Sequence, residues 1–218
     1  MTLPGQVESA TPSVPGFDSD SMIAAEIARQ FFTAGYKFCL RYISLDQEAP
    51  EDLSSQEAID ILNSGLALMP VQHVHRRGWS PTQDLGRRDG QNAVANAQNV
   101  GFPAGVSVWC DLEGVGRGSG AQDVIDYCEA WYEALDGAGY NNPGLYIGPA
   151  SVLTGPQLYR LSFRHYWRSQ SKVPHIPKRG YELIQLFPPI TVNGILIDID
   201  IAQNDDEGGR AQWLRITL

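Results

Sequence analysis

The sequence predicts an α/β protein, a single TIM-like (β/α)8 barrel with an incomplete helical ring after its fifth strand. Three observations predict it. Short β-branched and aromatic runs alternate with amphipathic segments as far as the fifth strand, which is the pattern of βαβ units. Eight strand-like runs can be counted along the chain. Acidic residues gather at the ends of several of these runs, where a β/α barrel builds its site. With 218 residues and 43% hydrophobic composition, the chain is long enough for one such core.

Residues 1–15 hold Pro4, Pro12 and Pro15 among Ser, Thr and Gly, and read as a flexible lead-in. The barrel domain then spans 16–218. Gly16–Ser19 is the first strand and carries Asp18. Met22–Ala34 has helical spacing through Ile23, Ile27, Phe31 and Phe32, with Asp20 or Ser21 as its cap. Tyr36–Ser44 is the second strand, with Lys37, Cys39 and Arg41 on one face and Phe38, Leu40 and Tyr42 on the other. A buried Arg41 needs anionic company, and acids at the barrel mouth are its expected source. Asp52–Asn63 is a helix with Ser54 or Ser55 as cap and Gly65 as its stop.

Leu66–Val74 is the third strand, with His73 at its end and His75 just beyond. Residues 76–88 read as a polar loop holding Arg76, Arg77, Trp79, Arg87 and Arg88, a local positive group on an acidic chain. Asp89–Val100 is a helix whose Ala93, Ala95 and Ala97 allow close packing. The fourth strand lies in Gly105–Gly114 and organises the rest. A two-residue period puts Ser107, Trp109, Asp111 and Glu113 on one face and Val106, Val108, Cys110 and Leu112 on the other. Neighbouring carboxylates separate in pKa, so that one holds a proton while the other stays charged.

Gly114, Gly116, Gly118 and Gly120 form a flexible rim. They follow acids and lack a later ribose-binding acid, so they are not a dinucleotide motif. Ala121–Ala138 is the clearest amphipathic helix, with Val124, Ile125, Cys128, Trp131, Tyr132 and Leu135 at helical intervals. Gly144–Gly148, Phe163–Arg168, Tyr181–Phe187 and Ile195–Ala202 are the remaining strands, and the later connections are too short for full helices. The last strand places Leu196, Asp198 and Asp200 on one face, which predicts a second acidic pair at a strand end. The tail, Ala211–Leu218, is expected to close the barrel base or cover an edge.

Composition narrows the function. A net charge of -9 and pI near 4.8 argue against a nucleic-acid partner, which calls for a basic surface. Cys39, Cys110 and Cys128 fit neither zinc spacing nor a disulfide framework and read as buried thiols. No apolar run approaches the roughly 20 residues that span a bilayer, so membrane insertion is not expected. The N-terminus lacks the basic start and apolar core of a signal peptide. No cofactor is implied, no metal-ligand spacing stands out, and oligomeric state is not legible.

In a closed barrel the first and eighth strands are neighbours and the fourth faces them. Asp18, Asp111, Glu113 and Asp198, with Asp200, then flank one mouth. Glycoside hydrolysis uses such a set: one carboxyl protonates the leaving oxygen and another carboxylate attacks or stabilises the anomeric carbon. Trp79, Tyr146 and Trp167 read as sugar-stacking surfaces, and Arg41, His73, Gln185 and Asp200 as further contacts to substrate.

Gly16-Phe17-Asp18, Arg41-Tyr42, Gly90 before the Ala-rich helix, Gly101-Phe102-Pro103, Asp111-Leu112-Glu113, Gly144-Leu145-Tyr146, Gln185 and Ile197-Asp198-Ile199 occur in that order. The set resembles the glycoside-hydrolase-like domain of unknown function in actinobacterial secreted proteins and related bacterial and phage proteins. That domain is similar to the Chalaropsis-type lysozymes, the glycoside hydrolase family 25 muramidases. The resemblance runs from about Gly16 to Ala202. It implies action on a β-linked amino-sugar polymer such as peptidoglycan, and a secreted or cell-wall-associated location. It implies Glu113 as general acid, with Asp111, Asp18 and Asp198 as accompanying acids and Asp111 or Asp198 as nucleophile or electrostatic stabiliser. Asp18 is expected to hold Glu113 protonated. The family often has an aromatic residue beside Gln185 and Asn at position 200, where this chain has Leu186 and Asp200. A catalytically silent carbohydrate- or cell-wall-binding barrel is the alternative.

Overall fold

The computed structural model describes residues 2–47 and 49–217. Met1 and Leu218, at the ends of the two expected segments, lie outside the described residues. The strands are β1 (Gln6–Ser9), β2 (Pro15–Ser19), β3 (Phe38–Ile43), β4 (Ala67–Gln72), β5 (Trp109–Leu112), β6 (Gly144–Ile147), β7 (His165–Ser169), β8 (Leu183–Val192), β9 (Ile195–Ala202) and β10 (Gln212–Arg215). The helices are α1 (Ala25–Thr33), α2 (Ser55–Asn63), α3 (Gln83–Val100), α4 (Ala121–Gly137) and α5 (Gly155–Arg160).

Strands β2 to β9 close into an eight-stranded barrel, with β4 pairing β5 and β9 returning to β2. Each neighbouring pair from β2 to β8 is parallel. β9 is antiparallel to both β8 and β2, so the second half departs from a full (β/α)8 pattern. The cause is local. Asn193-Gly194 joins β8 to β9 with φ of 53° and 82°, the positive-φ dipeptide that a tight hairpin requires. Helices fail where expected: α5 is short, and no helix lies between β7 and β8.

The hairpin corrects the reading of the last strand. β9 starts at the mouth and descends, so Asp198 sits level with Asp18 while Asp200 sits level with Gly16, one layer deeper. Asp200 is fully buried and is not a strand-end acid.

Arg41 is corrected too. Its side chain lies on the outer face of β3, fully buried between barrel and helix. Its guanidinium donates to Glu57 of α2 (Nε–Oε1 2.7 Å), to Ser19 O (2.8 Å) and to Glu51 O (3.1 Å). The anion it needs comes from the helical layer, because an odd position on this strand points away from the barrel interior. Glu57 also accepts the Ile23 N–H, ahead of α1. That helix begins at Ala25 with no side-chain cap, so neither Asp20 nor Ser21 caps it.

The expected 76–88 loop is shorter than its composition implied. Thr82 accepts the Leu85 N–H and starts α3 six residues before Asp89 is reached. A Cβ on Gly86 would stand 2.2 Å from Tyr127 O of α4, and one on Gly90 2.8 Å from Ala134 Cβ. This close helix–helix approach overrides the weak helix propensity of the segment.

The lead-in is also structured. β1 pairs antiparallel with β10, and Leu3 and Ala10 are buried. β10 in turn pairs Leu214 with Leu68 of β4 and accepts the Ser107 N–H at Gln212 O (2.8 Å). The tail therefore wedges into the base of the β4–β5 seam, where Trp213 packs on Phe38 at 5.6 Å. Cys39, Cys110 and Cys128 are buried, unbridged thiols.

Candidate active site

The barrel interior is packed from the base upward by aromatic rings. Trp109 and Trp167 meet edge to face at 6.0 Å, and Tyr146 lies over Trp167 at 4.4 Å. The polar tips of Trp167 and Tyr146 tie into a hydrogen-bonded layer beneath the mouth. Trp167 Nε1 donates to Asp200 Oδ1 (2.8 Å), and Tyr146 OH donates to Gln185 Oε1 (2.7 Å). The Gln185 amide then donates to Asp18 Oδ2 (2.9 Å) and Asp198 Oδ2 (3.4 Å). One amide thus spans the two acids that adjacent, antiparallel strands present at the same level.

Above this layer opens a cleft of about 230 Å³, lined by Asp18, Tyr42, His73, Asp111, Glu113 and Asp198 among others. The four acids read from the sequence as a set do converge. None has a Lys or Arg partner among the described residues. A recess of about 510 Å³ beside α2 and α3 holds Ser44, Asp52, Asn96 and Asn99, and it lacks this convergence of carboxylates.

Each acid at the mouth is raised from its ordinary value. Burial raises Asp18 to about 7, with the Gln185 hydrogen bond opposing and Asp198 adding. Burial, then Glu113 and Asp18, raise Asp111 well above its usual value. Burial and Asp198 raise Glu113, and burial and Asp20 raise Asp198. The charge acting on Glu113 is thus that of Asp198, and Asp18 acts on Asp111 instead. Asp200 is raised well up by burial and by Asp18. With Trp167 on Oδ1 and no other heavy-atom partner at Oδ2, a neutral Asp200 donating its proton toward Asp18 satisfies both oxygens.

The contacts expected for substrate divide. His73 lines the cleft, held by Asp52 (Nε2–Oδ1 2.9 Å) and stacked on Tyr42 at 4.6 Å. Gln185 and Tyr146 lie beneath the cleft lining, with Tyr146 bonded to Gln185 and Gln185 to Asp18. Trp79 is no stacking surface: its Nε1 donates to Glu113 O (2.8 Å) and its ring lies between His75 and Tyr127, so it positions the end of β5. Trp167 and Asp200 are fully buried below the mouth and, with Arg41, are out of a ligand's reach. A barrel interior is filled by side chains, and only the top layer meets solvent.

Other residues that the sequence did not mark as site residues line the site. Tyr42, Ser19, Asp20, Val74 and Leu196 line the cleft. Gly148 makes room for the acid, since a Cβ there would lie 2.6 Å from Glu113 Cβ and 2.7 Å from its Oε2. Its signal was its place directly after a strand, where a small residue frees the mouth. Phe187 and Leu196, on the outer part of the β8–β9 hairpin, are 75% and 54% exposed. The Asn-Gly pair that projects them was readable as a hairpin.

Among the described residues no group of three or more His, Cys, Asp or Glu is arranged to hold a metal ion, and no helix is long and apolar enough to cross a membrane. No curated protein matches the sequence. Solved structures share the fold. The Tat-secreted protein Rv2525c of Mycobacterium tuberculosis, in complex with HEPES, superposes with a TM-score of 0.66 at 15% identity, covering 90% of this chain and 98% of its own. The bacterial lysozyme of Streptomyces coelicolor gives 0.63 at 13% identity, covering 89% and 94%. The muramidase of Trichobolus zukalii gives 0.64 at 13%, covering 87% and 93%. The sequence itself matches the family described as Rv2525c-like, glycoside hydrolase-like domain over residues 29–185, and the chain belongs to that family.

Proposed function

We propose that the cleft hydrolyses a β-linked amino-sugar polymer such as peptidoglycan, with Glu113 as the general acid. The observation that carries this is the opposition of Asp111 on β5 and Glu113 just past its end to Asp18 and Asp198 across one mouth. Glu113, directly after β5, is partly exposed where Asp111 is buried, and its carboxyl has no side-chain partner among the described residues. It is therefore free to reach a glycosidic oxygen. Its raised pKa keeps a proton to give. Proton transfer to that oxygen accompanies cleavage of its bond to the anomeric carbon. Asp111 or Asp198 attacks that carbon or stabilises its positive charge, and water, giving its proton back to Glu113, completes hydrolysis.

Fold similarity to a lysozyme and a muramidase, and membership of a glycoside hydrolase-like family, support this class of substrate. The Tat-secreted Rv2525c supports a secreted or wall-associated location. Reducing-end release from peptidoglycans and chitin oligomers, followed across about pH 4 to 8, tests the reading. Activity should fall at high pH as Glu113 loses its proton, and at low pH as its partner carboxylate gains one. Glu113→Gln should lower release by about 10²–10⁴-fold. Release unchanged by that substitution removes Glu113 as the acid. No release from a folded wild-type protein that still binds glycan identifies a silent binding barrel.

A further inference from the structure

At the rim, the loop after β4 and the loop after β5 are zipped together. Gly78 N–H donates to Gly114 O and Gly116 N–H to Trp79 O, both at 2.7 Å, and Trp79 and Val115 form a parallel bridge. Glycine is needed for this approach. Gly114 has φ of +66°, and a Cβ on it would stand 3.3 Å from Arg77 Cα; one on Gly116 would stand 3.0 Å from Gly78 O. The zipper brings Arg77 and Arg117 into the wall of a recess of about 700 Å³ that also includes His75, Glu113 and Ser119. This recess shares Val74 and Glu113 with the acidic cleft. The two are halves of one groove, with Glu113 at the junction.

The arginines of this region sort by partner. Arg87 pairs with Asp84 at 2.9 Å, and Arg88 lies 3.7 Å from Asp89. Arg76, Arg77 and Arg117 have no acidic partner among the described residues. Ser119 Oγ is buried in the same wall without a hydrogen-bond partner. On a chain of net charge -9, these unpaired guanidiniums and a spare hydroxyl stand beside a cleft lined by carboxylates. A neutral sugar offers these guanidiniums only hydroxyl acceptors, whereas their planar forks match the charged oxygens of a carboxylate or phosphate and bind them more strongly.

We propose that this recess is an oxyanion subsite: Arg77 and Arg117 hold a carboxylate or phosphate borne by the glycan on one side of the bond above Glu113, so that acid-substituted glycans are chosen over neutral ones. The place of the scissile bond rests on the hydrolase reading, but binding in the recess does not require turnover.

Calorimetric titration tests it, with every protein carrying Glu113→Gln so that ligand persists. The probes are wall-glycan fragments with free carboxylates, the same fragments with those groups converted to methylamides, and amidated fragments bearing a phosphate ester. The carboxylate form should bind about tenfold more tightly than the amidated form, a preference that fades in high salt. Adding Arg77→Gln and Arg117→Gln should abolish the preference and leave affinity for the amidated form unchanged. Both arginines are exposed, so the fold should persist, checked by circular dichroism. Recovery of affinity by the phosphate ester names phosphate as an accepted source, and its absence leaves carboxylate. Equal binding of all forms, binding of none, or a preference that survives loss of both arginines overturns the proposal. Wild-type protein that cleaves nothing yet keeps the preference removes the hydrolase reading and leaves the subsite standing.

Discussion

β5 with the residue that follows it, and β9, each carry two acids two positions apart into the barrel, and they present them in opposite senses. β5 runs toward the mouth, so the step from Asp111 to Glu113 leads outward, from a nearly buried carboxyl to a partly exposed one. β9 runs away from the mouth, so the step from Asp198 to Asp200 leads inward, from the cleft to a fully buried position against Trp167. One short pattern thus yields a reachable acid on one strand and an internal strut on the other. Strand direction, more than residue type, decides which carboxylate meets a ligand.

The largest test of that contrast acts on the open end of β5. Gly148→Ala puts a methyl group where Glu113 now stands. Turnover should drop by about 10²-fold, the size of effect that a displacement of about 1 Å produces, and the unfolding midpoint should fall as well, since overpacking costs about 1–3 kcal/mol. Full activity in this variant means that Glu113 has slack the geometry does not show. A smaller effect comes from the mouth-level acid of β9. Asp198→Asn should cost at least about tenfold in turnover, as loss of one preorganised electrostatic partner does, and should lower the pH at which Glu113 loses its proton.

Asp200→Asn should do least to activity, about twofold or less, because an amide keeps an acceptor for Trp167 and a donor toward Asp18. Its mark belongs to stability. The folded carboxyl of Asp200 holds its proton above the unfolded value of about 3.9. Its favourable contribution is therefore complete below about pH 4 and is lost as pH rises through the folded value. An amide does not titrate. Urea midpoints measured at about pH 4 and pH 8 should differ less in the variant than in wild type. An equal difference in both proteins would show that Asp200 is ionised in the fold, and the shared-proton arrangement with Asp18 would be wrong.

Much of the barrel was legible because it depends on short-range pattern. A period of two sorted Trp109, Asp111 and Glu113 from Cys110 and Leu112, and Phe38, Leu40 and Tyr42 from Cys39 and Arg41. Helical spacing located α4 within one residue at its end. Other features depend on partners far away in the chain. Arg41 was placed on its face, yet its anion is Glu57, whose role also depends on Ile23. β1 and β10 are weak strands that persist because they pair with each other across 200 residues and more. The start of α3 depends on glycine contacts with Tyr127 and Ala134.

Residue order alone therefore settled which side chains share a face, that acids collect at strand ends, and that eight strands were available to close a barrel. Three-dimensional packing settled the direction of β9, the depth of Asp200, the burial of Trp79 and Trp167, and the clearance that Gly148 leaves for Glu113. The physical reason is the range of the forces involved. Side-chain alternation is a property of the backbone over two residues, whereas depth and exposure are created when distant segments exclude water from one another.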